Sequence, residues 1–354
     1  MFFDLLILLG TFIGSLLLTP LIRRFALKSR LVDVPNIRSS HERPTARGGG
    51  LAIVVTYFAA LIGLFLIDYV PLYLVVAFAV AGLPVAAVGF WDDHGHVPPR
   101  WRIVVHFVAA ISAWVLISDV TMHSRLPLLW WFFNVFLIVS VVWMLNLYNF
   151  MDGIDAIAGA ETIFVTAGAA LLFSLSGSRD LAMLAALLAV STTGFLVWNL
   201  PPARIFLGDV GSGFLGIAIG MLALAGIKSG TVNIWGWLIL LGVFLVDATL
   251  TVARRMMRGA KWYEAHRSHA YQHLAIRWKS HGKVTLAVTA INIFWLFPWA
   301  FAAWRRPQWG ALYTALALAP LVCAALKLGA GKDLAGTTPQ PDASRSLVYE
   351  QADL

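Results

Sequence analysis

The residues able to do chemistry are few and gathered into short motifs, because only 18 of the 354 residues are Asp or Glu. Gly89-Phe90-Trp91-Asp92-Asp93 closes an apolar run, and Arg100 and Arg102 follow as the next run begins. Two adjacent carboxylates at the edge of an apolar segment are costly unless a metal or an arginine compensates them. Successive helical residues point about 100° apart, so one carboxylate could hold a metal while the other handles a proton; a turn of solvated acids is the plainer alternative. In Asn149-Phe150-Met151-Asp152-Gly153-Ile154-Asp155, the residues Asn149, Asp152 and Asp155 recur every third position and would line one face if the helix continues. Amide and carboxylate groups so placed suit a nucleobase or sugar hydroxyls, with Gly153 allowing close backbone approach. A helix cap with a polar turn would give the same pattern.

The segment Asn199 to Gly213 is richer still. Asp209 stands at the head of a predicted helix among glycines and Ser212. Free N–H groups at a helix start favour phosphate or carboxylate, and Asp209 could give an oxygen ligand to Mg²⁺, which takes one or two carboxylates and completes its shell with water and phosphate; an N-cap Asp is the ordinary alternative. Later, His266-Arg267-Ser268-His269 leads to His273. In a helix the three histidines would share a face, yet no nearby cysteine or obvious carboxylate completes a zinc site. Diphosphate binding by Arg267 with His266 and His269 is the preferred reading, against a merely basic, lipid-facing loop. Asp247, inside an apolar run, is expected to be captured by Arg254 and Arg255.

These motifs need a membrane to organise them. The chain is 60% hydrophobic and 12% charged, against about 25% charged for soluble domains, which excludes a water-soluble fold. The single cysteine, Cys323, rules out disulfides and cysteine metal sites and is read as a small buried hydrophobe. The first segment carries Asp4 where a signal peptide carries positive charge, so it is read as a retained span. The net charge of +8 is spread between apolar runs, which marks topology rather than nucleic-acid binding.

At about 20 residues per crossing, eleven spans are expected, near 2–22, 48–67, 71–90, 101–118, 129–148, 157–176, 181–198, 211–227, 234–252, 284–304 and 309–328. Alternate connectors divide the charge, with 21 of the 26 Lys and Arg on one side. Because the cytoplasmic side retains the excess, the N-terminus is expected in the periplasm and the C-terminus in the cytoplasm. Asp92, Asp93, Asp152, Asp155 and Asp209 all fall on the cytoplasmic side. The fold class is therefore all-α and polytopic: residues 1–328 form a transmembrane catalytic domain, and 329–354 a disordered tail.

Together the motifs identify a resemblance to the polyprenyl-phosphate N-acetylhexosamine-1-phosphate transferases, the superfamily that includes the phospho-N-acetylmuramoyl-pentapeptide translocases. It rests on Pro44-Thr45-Ala46-Arg47-Gly48-Gly49-Gly50, Asp92-Asp93, Asn149-x-x-Asp152-Gly153-x-Asp155, Phe206-x-Gly208-Asp209-x-Gly211-Ser212 and the His-bearing loop. The resemblance implies transfer of a sugar 1-phosphate from a UDP-activated N-acetylated sugar to undecaprenyl phosphate in the bacterial inner membrane, releasing UMP and initiating O-antigen or a related cell-surface polysaccharide. It implies Mg²⁺, with Mn²⁺ as a substitute, on Asp209 and Asp92. Asp92, Asp93, Asp152 and Asp155 are the implied catalytic residues. Thr45, Arg47, Arg102, Asn149, Asn199, Phe206, His266, Arg267 and His269 are the implied substrate contacts, with Phe206 against uracil. The expected partners are the two substrates, membrane lipids and a second copy as a homodimer, with no nucleic acid. The loop lacks the consecutive histidines of the translocase branch, so that branch is the alternative; a secondary transporter is the rival from another class, disfavoured because no repeat is evident.

Overall fold

The structure is a computed structural model that describes residues 2–34, 44–95, 97–117, 127–260 and 267–332. His266 and residues 333–354 lie outside the described residues. The helices are α1 (Phe2–Lys28), α2 (Gly50–Leu66), α3 (Leu72–His94), α4 (Pro99–Ile117), α5 (Pro127–Met151), α6 (Ile157–Leu175), α7 (Arg179–Asn199), α8 (Gly208–Ser229), α9 (Ile234–Leu240), α10 (Gly242–Met257), α11 (Ala270–Trp278), α12 (His281–Ile291), α13 (Phe297–Arg305) and α14 (Gly310–Leu328). Two-residue strands β1 (Val32–Asp33) and β2 (Thr45–Ala46) pair antiparallel.

Among the described residues, nine helices are long and apolar enough to cross a membrane, or ten if the bent pair α9 and α10 is one span. The apolar helix α2, at 17 residues, falls just short of that length. The chain is an all-α, multi-pass membrane protein. Its central helix is α8, buried along nearly its whole length and flanked by α3 and α5. Helices α6, α7 and α1 form a second packed row. In lipid, close approach through small side chains replaces the hydrophobic drive that assembles soluble bundles, and the glycines of α8 serve that approach.

The predicted span 234–252 is not straight: the axis turns by 79° between α9 and α10. Hydropathy runs unbroken across this point and carries no sign of the bend. The bend falls at Leu241, and at Gly242, the first residue of α10, a side chain would meet Leu318 and Leu296. Leu240, Leu241 and Gly242 are all buried, as irregular backbone at membrane depth must be. The predicted span 284–304 is one helix from His281 to Arg305, interrupted by a π turn over Asn292–Leu296 just before Pro298. Inside it, Asn292 donates to Glu161 of α6 at 2.5 Å, both residues being buried.

Two expectations change here. Cys323 is exposed on the outer face of α14 rather than buried, because that helix packs at the margin of the bundle. Asp247 is not captured by Arg254 and Arg255. It reaches the start of α11 instead, accepting from Ala270 N and Tyr271 N at 2.9 Å each and from Thr251 Oγ1 at 3.1 Å. A carboxylate satisfies orphan N–H groups at a helix start better than water can inside a packed bundle.

Candidate active site

The C-terminal end of α3 and the N-terminal end of α8 meet at one end of the bundle. Gly89 makes the approach possible, since a Cβ there would lie 2.3 Å from the Asp209 carbonyl oxygen. One turn on, the Asp93 side chain is wholly enclosed and caps α8 from outside it. Its Oδ1 accepts from Asp209 N at 2.8 Å and its Oδ2 from Val210 N at 3.1 Å. The N–H groups expected to attract a substrate phosphate are therefore filled by a protein carboxylate. Gly208 allows this with φ +76°; a Cβ would fall 2.5 Å from Asp93 Oδ2.

Arg47 enters from the loop before α2. Its approach is fixed by backbone bonds: Arg47 N to Leu31 O at 3.1 Å, Phe206 N to Ala46 O at 2.8 Å, and Gly49 N to Phe206 O at 2.9 Å. The half-buried guanidinium then joins Asp93 Oδ1 at 2.8 Å and Asp209 Oδ1 at 2.9 Å. Burial works against its positive charge, but Asp209 and Asp93 outweigh it and hold the group above its ordinary pKa.

Asp209 is the hub. Besides Arg47, its Oδ1 accepts from Asn149 Nδ2 at 2.9 Å, and Asn149 also reaches Ser212 Oγ at 3.4 Å. Arg102 of α4 places Nη1 2.5 Å from Asp92 Oδ2 and 3.1 Å from Asp209 Oδ2. Asp92 Oδ1 is anchored by Val97 N at 2.8 Å. Oxygens from two helices thus converge on one positive nitrogen, an arrangement that also suits a hard divalent cation needing one or two carboxylates. No group of three or more His, Cys, Asp or Glu side chains able to hold a metal occurs among the described residues, so a cation here would have to draw most of its ligands from water and substrate phosphate.

The repeat at Asn149, Asp152 and Asp155 does not form one helical face. Helix α5 ends at Met151, and Ala156 takes a left-handed φ of +67°. Asp152 stays beside the cluster without a hydrogen bond or ion pair among the described residues. Burial pushes its carboxyl well above the usual range, with Arg47 opposing and Asp209, Asp93 and Asp155 adding to the rise. Asp155 turns away from the cluster to support the 199–205 loop, accepting from Ala203 N at 3.1 Å and lying 3.4 Å from His281 Nδ1. Asn199 is likewise a brace: its Oδ1 accepts from Ala156 N and its Nδ2 donates to Ile205 O, at 2.9 Å each. Both placements share a reason, that an irregular buried loop needs side chains to satisfy its backbone.

Gly153 does not open space for a substrate. A Cβ there would lie 2.1 Å from the Tyr271 hydroxyl, which donates to Phe150 O at 3.0 Å. Helix α11 is thereby docked on the Asn149–Asp155 turn. His269, predicted as a substrate contact, is 2% exposed; its Nδ1 lies 3.4 Å from Asp247 Oδ1 and its ring stacks on Tyr271. Arg267, Thr45 and Phe206 are half-buried, and Thr45 and Phe206 lie in the strand and loop that carry Arg47 to the site. Sequence reasoning assigned no role to His281, Tyr271 and Gln272, which brace the turn; Tyr271 and Gln272 lie within the His-bearing segment and His281 outside any motif, and only the folded chain brings them there.

Residues 73–227, from α3 to α8, match the family described as Glycosyl transferase family 4. The matched region contains Asp92, Asp93, Asn149, Asp152 and Asp209, though not Arg47 or Arg267. The chain is 28% identical over 78% of its length, and 78% of the relative's, to the probable undecaprenyl-phosphate N-acetylglucosaminyl 1-phosphate transferase of Bacillus subtilis. Similarity to the undecaprenyl-phosphate alpha-N-acetylglucosaminyl 1-phosphate transferase of Salmonella typhi is 28% over 76% of each chain. A phospho-N-acetylmuramoyl-pentapeptide-transferase of Picosynechococcus is 31% identical over 51% of this chain and 52% of its own.

Proposed function

We propose that this chain, whose residues 73–227 match glycosyl transferase family 4, moves a sugar 1-phosphate from a UDP-activated N-acetylated sugar to undecaprenyl phosphate, releasing UMP. The observation that carries this reading is the convergence of Asp92 and Asp209 on Arg102, with Arg47 alongside, at one end of an apolar bundle. Such a cluster suits a diphosphate arriving from water and a lipid phosphate arriving from the bilayer.

In the reaction, an oxygen of the lipid phosphate attacks the β-phosphorus of the donor. The new P–O bond forms as the bond from that phosphorus to the bridging oxygen breaks, and UMP leaves with that oxygen. A phosphate monoester has a second pKa near 6, so the acceptor is largely ionised at neutral pH, and the protein's task is positioning and charge stabilisation. Arg47 and Arg102 supply positive charge to the diphosphate. Asp209 and Asp92 would hold Mg²⁺, or Mn²⁺ in its place, which when bound supplies a Lewis acid for phosphate oxygens. Asn149 orients Asp209. Asp93, committed to the helix cap, keeps α8 in register. Asp152 is the carboxyl left for a sugar or base contact, and Phe206 the aromatic surface for uracil.

The site faces the cytoplasm of the bacterial inner membrane in this reading, where UDP-sugars are made, in agreement with the charge asymmetry of the connectors. The donor is GlcNAc or a close N-acetylated relative such as FucNAc, and the product starts O-antigen or a related surface polysaccharide. The translocase alternative is disfavoured because that relative aligns over only about half the chain. The test is UMP release by purified protein with undecaprenyl phosphate and Mg²⁺, offering UDP-GlcNAc, UDP-FucNAc and UDP-MurNAc-pentapeptide separately. Release with a small sugar, lost in Asp209→Asn, supports the reading; release only with the pentapeptide substrate selects the alternative, and none with any donor rejects both.

A further inference from the structure

The chain was expected to become a disordered tail at Gly329, yet Gly329–Lys332 is built into the fold. Gly329 and Gly331 adopt φ of +90° and +75° and bring the segment back against α10 and α11. Arg254 Nη1 donates to Ala330 O at 2.6 Å, and Arg258 Nη1 to Gly331 O at 3.0 Å. The His273 ring meets Lys332 O at 3.0 Å. In return, Gly331 N donates to Ser268 O at 2.7 Å. Ala330 is fully buried with Val246, Ala270 and Ala325.

Ser268 is therefore held from two sides, since Arg255 Nη1 also reaches its Oγ at 3.4 Å. It is itself fully buried and sits between Arg267 and the N-cap of α11. These four bonds, one to Ser268, two to the end of α10 and one to α11, exceed what ending a helix needs; a single glycine C-cap would satisfy the last carbonyls of α14. The bond from Gly331 N to Ser268 O restrains the backbone next to Arg267, and the other three hold the segment against the two helices that flank it.

We propose that Gly329–Lys332 is a clamp whose residues position Arg267 and the start of α11 for the diphosphate end of the nucleotide-sugar donor. This rests on the donor reading given above. None of the four residues touches substrate; they act by fixing the segment that does.

Four proteins test it: the full chain, a stop after Lys332, a stop after Leu328, and Gly331→Val in the full chain. The last places a β-branched side chain at φ +75°, with its Cβ 2.7 Å from Arg254 Cβ. Each is measured for thermal midpoint, amide hydrogen exchange over 268–273, and KM for the UDP-sugar and for undecaprenyl phosphate. The stop after Lys332 is expected to match the full chain. The stop after Leu328 and Gly331→Val are expected to raise donor KM and speed exchange about tenfold, the scale of one or two lost hydrogen bonds, with acceptor KM unchanged. Unchanged exchange and donor KM in both variants would overturn the clamp. So would an equal rise in both KM values, or the full effect already at Lys332. If the shorter chain does not fold, Gly331→Val decides alone. Should the full chain transfer no sugar phosphate, the donor reading fails, and the exchange comparison still decides whether the segment restrains 268–273.

Discussion

The adjacent carboxylates Asp92 and Asp93 look alike in sequence and do different work. Asp93 satisfies two backbone N–H groups of α8 and pairs with Arg47, while Asp92 shares Arg102 with Asp209. Asp93→Asn is expected to cost about 0.5–2 kcal/mol of stability, as for loss of a helix cap, and to lower the thermal midpoint. Asp209→Asn should leave the midpoint near that of the parent and cut kcat by about 10²–10³-fold, the usual effect of removing one organised electrostatic group. Asp152 gives a pH signature. Burial holds its folded pKa above the unfolded value, about 3.9 for Asp, so the folded state binds the extra proton between the two pKa values. This group's contribution to stability therefore declines as pH rises through that window and recovers on acidification. Asp152→Asn is expected to melt higher than the parent at pH 7.5, with the gap closing toward pH 4, while kcat falls; a lower midpoint at pH 7.5 would contradict the assignment.

At the scale of elements, the site exists because α3 and α8 touch. Gly89→Ala would drive a methyl into the Asp209 carbonyl, with an expected cost of about 1–3 kcal/mol for overpacking and a loss of kcat, since Asp92 and Asp209 would separate. The pair Glu161–Asn292 joins α6 to α12 at the π turn. Glu161→Gln keeps an acceptor for Asn292 and should be near neutral in melting, whereas Glu161→Leu strands a buried amide and should cost about 1–3 kcal/mol. The helices were largely legible beforehand, since unbroken apolar runs have one solution in lipid. The bend between α9 and α10 was not, because it depends on what Gly242 meets from other helices. Nor was the course of the chain after α5 legible: a three-residue repeat cannot say whether the helix continues past Met151.

For the whole molecule, the charge asymmetry of the connectors sets a checkable orientation. In a Cys323→Ser background, Ser178→Cys between α6 and α7 should react in intact cells with a membrane-impermeant thiol reagent, and Gly95→Cys after α3 should react only after lysis. The opposite pattern would place the site outside. The sequence by itself determined that the chain lives in a membrane, which residue types crowd one side of it, and which motifs carry the resemblance, because hydropathy, charge and motif order are local properties of the chain. Only the tertiary structure decided which carboxylate is a cap and which faces the site, that Asp155, Asn199 and His269 are braces, and that Gly329–Lys332 returns to hold Ser268. Each of those roles depends on which buried backbone group needs a partner, and that is fixed only when helices distant in sequence are packed together.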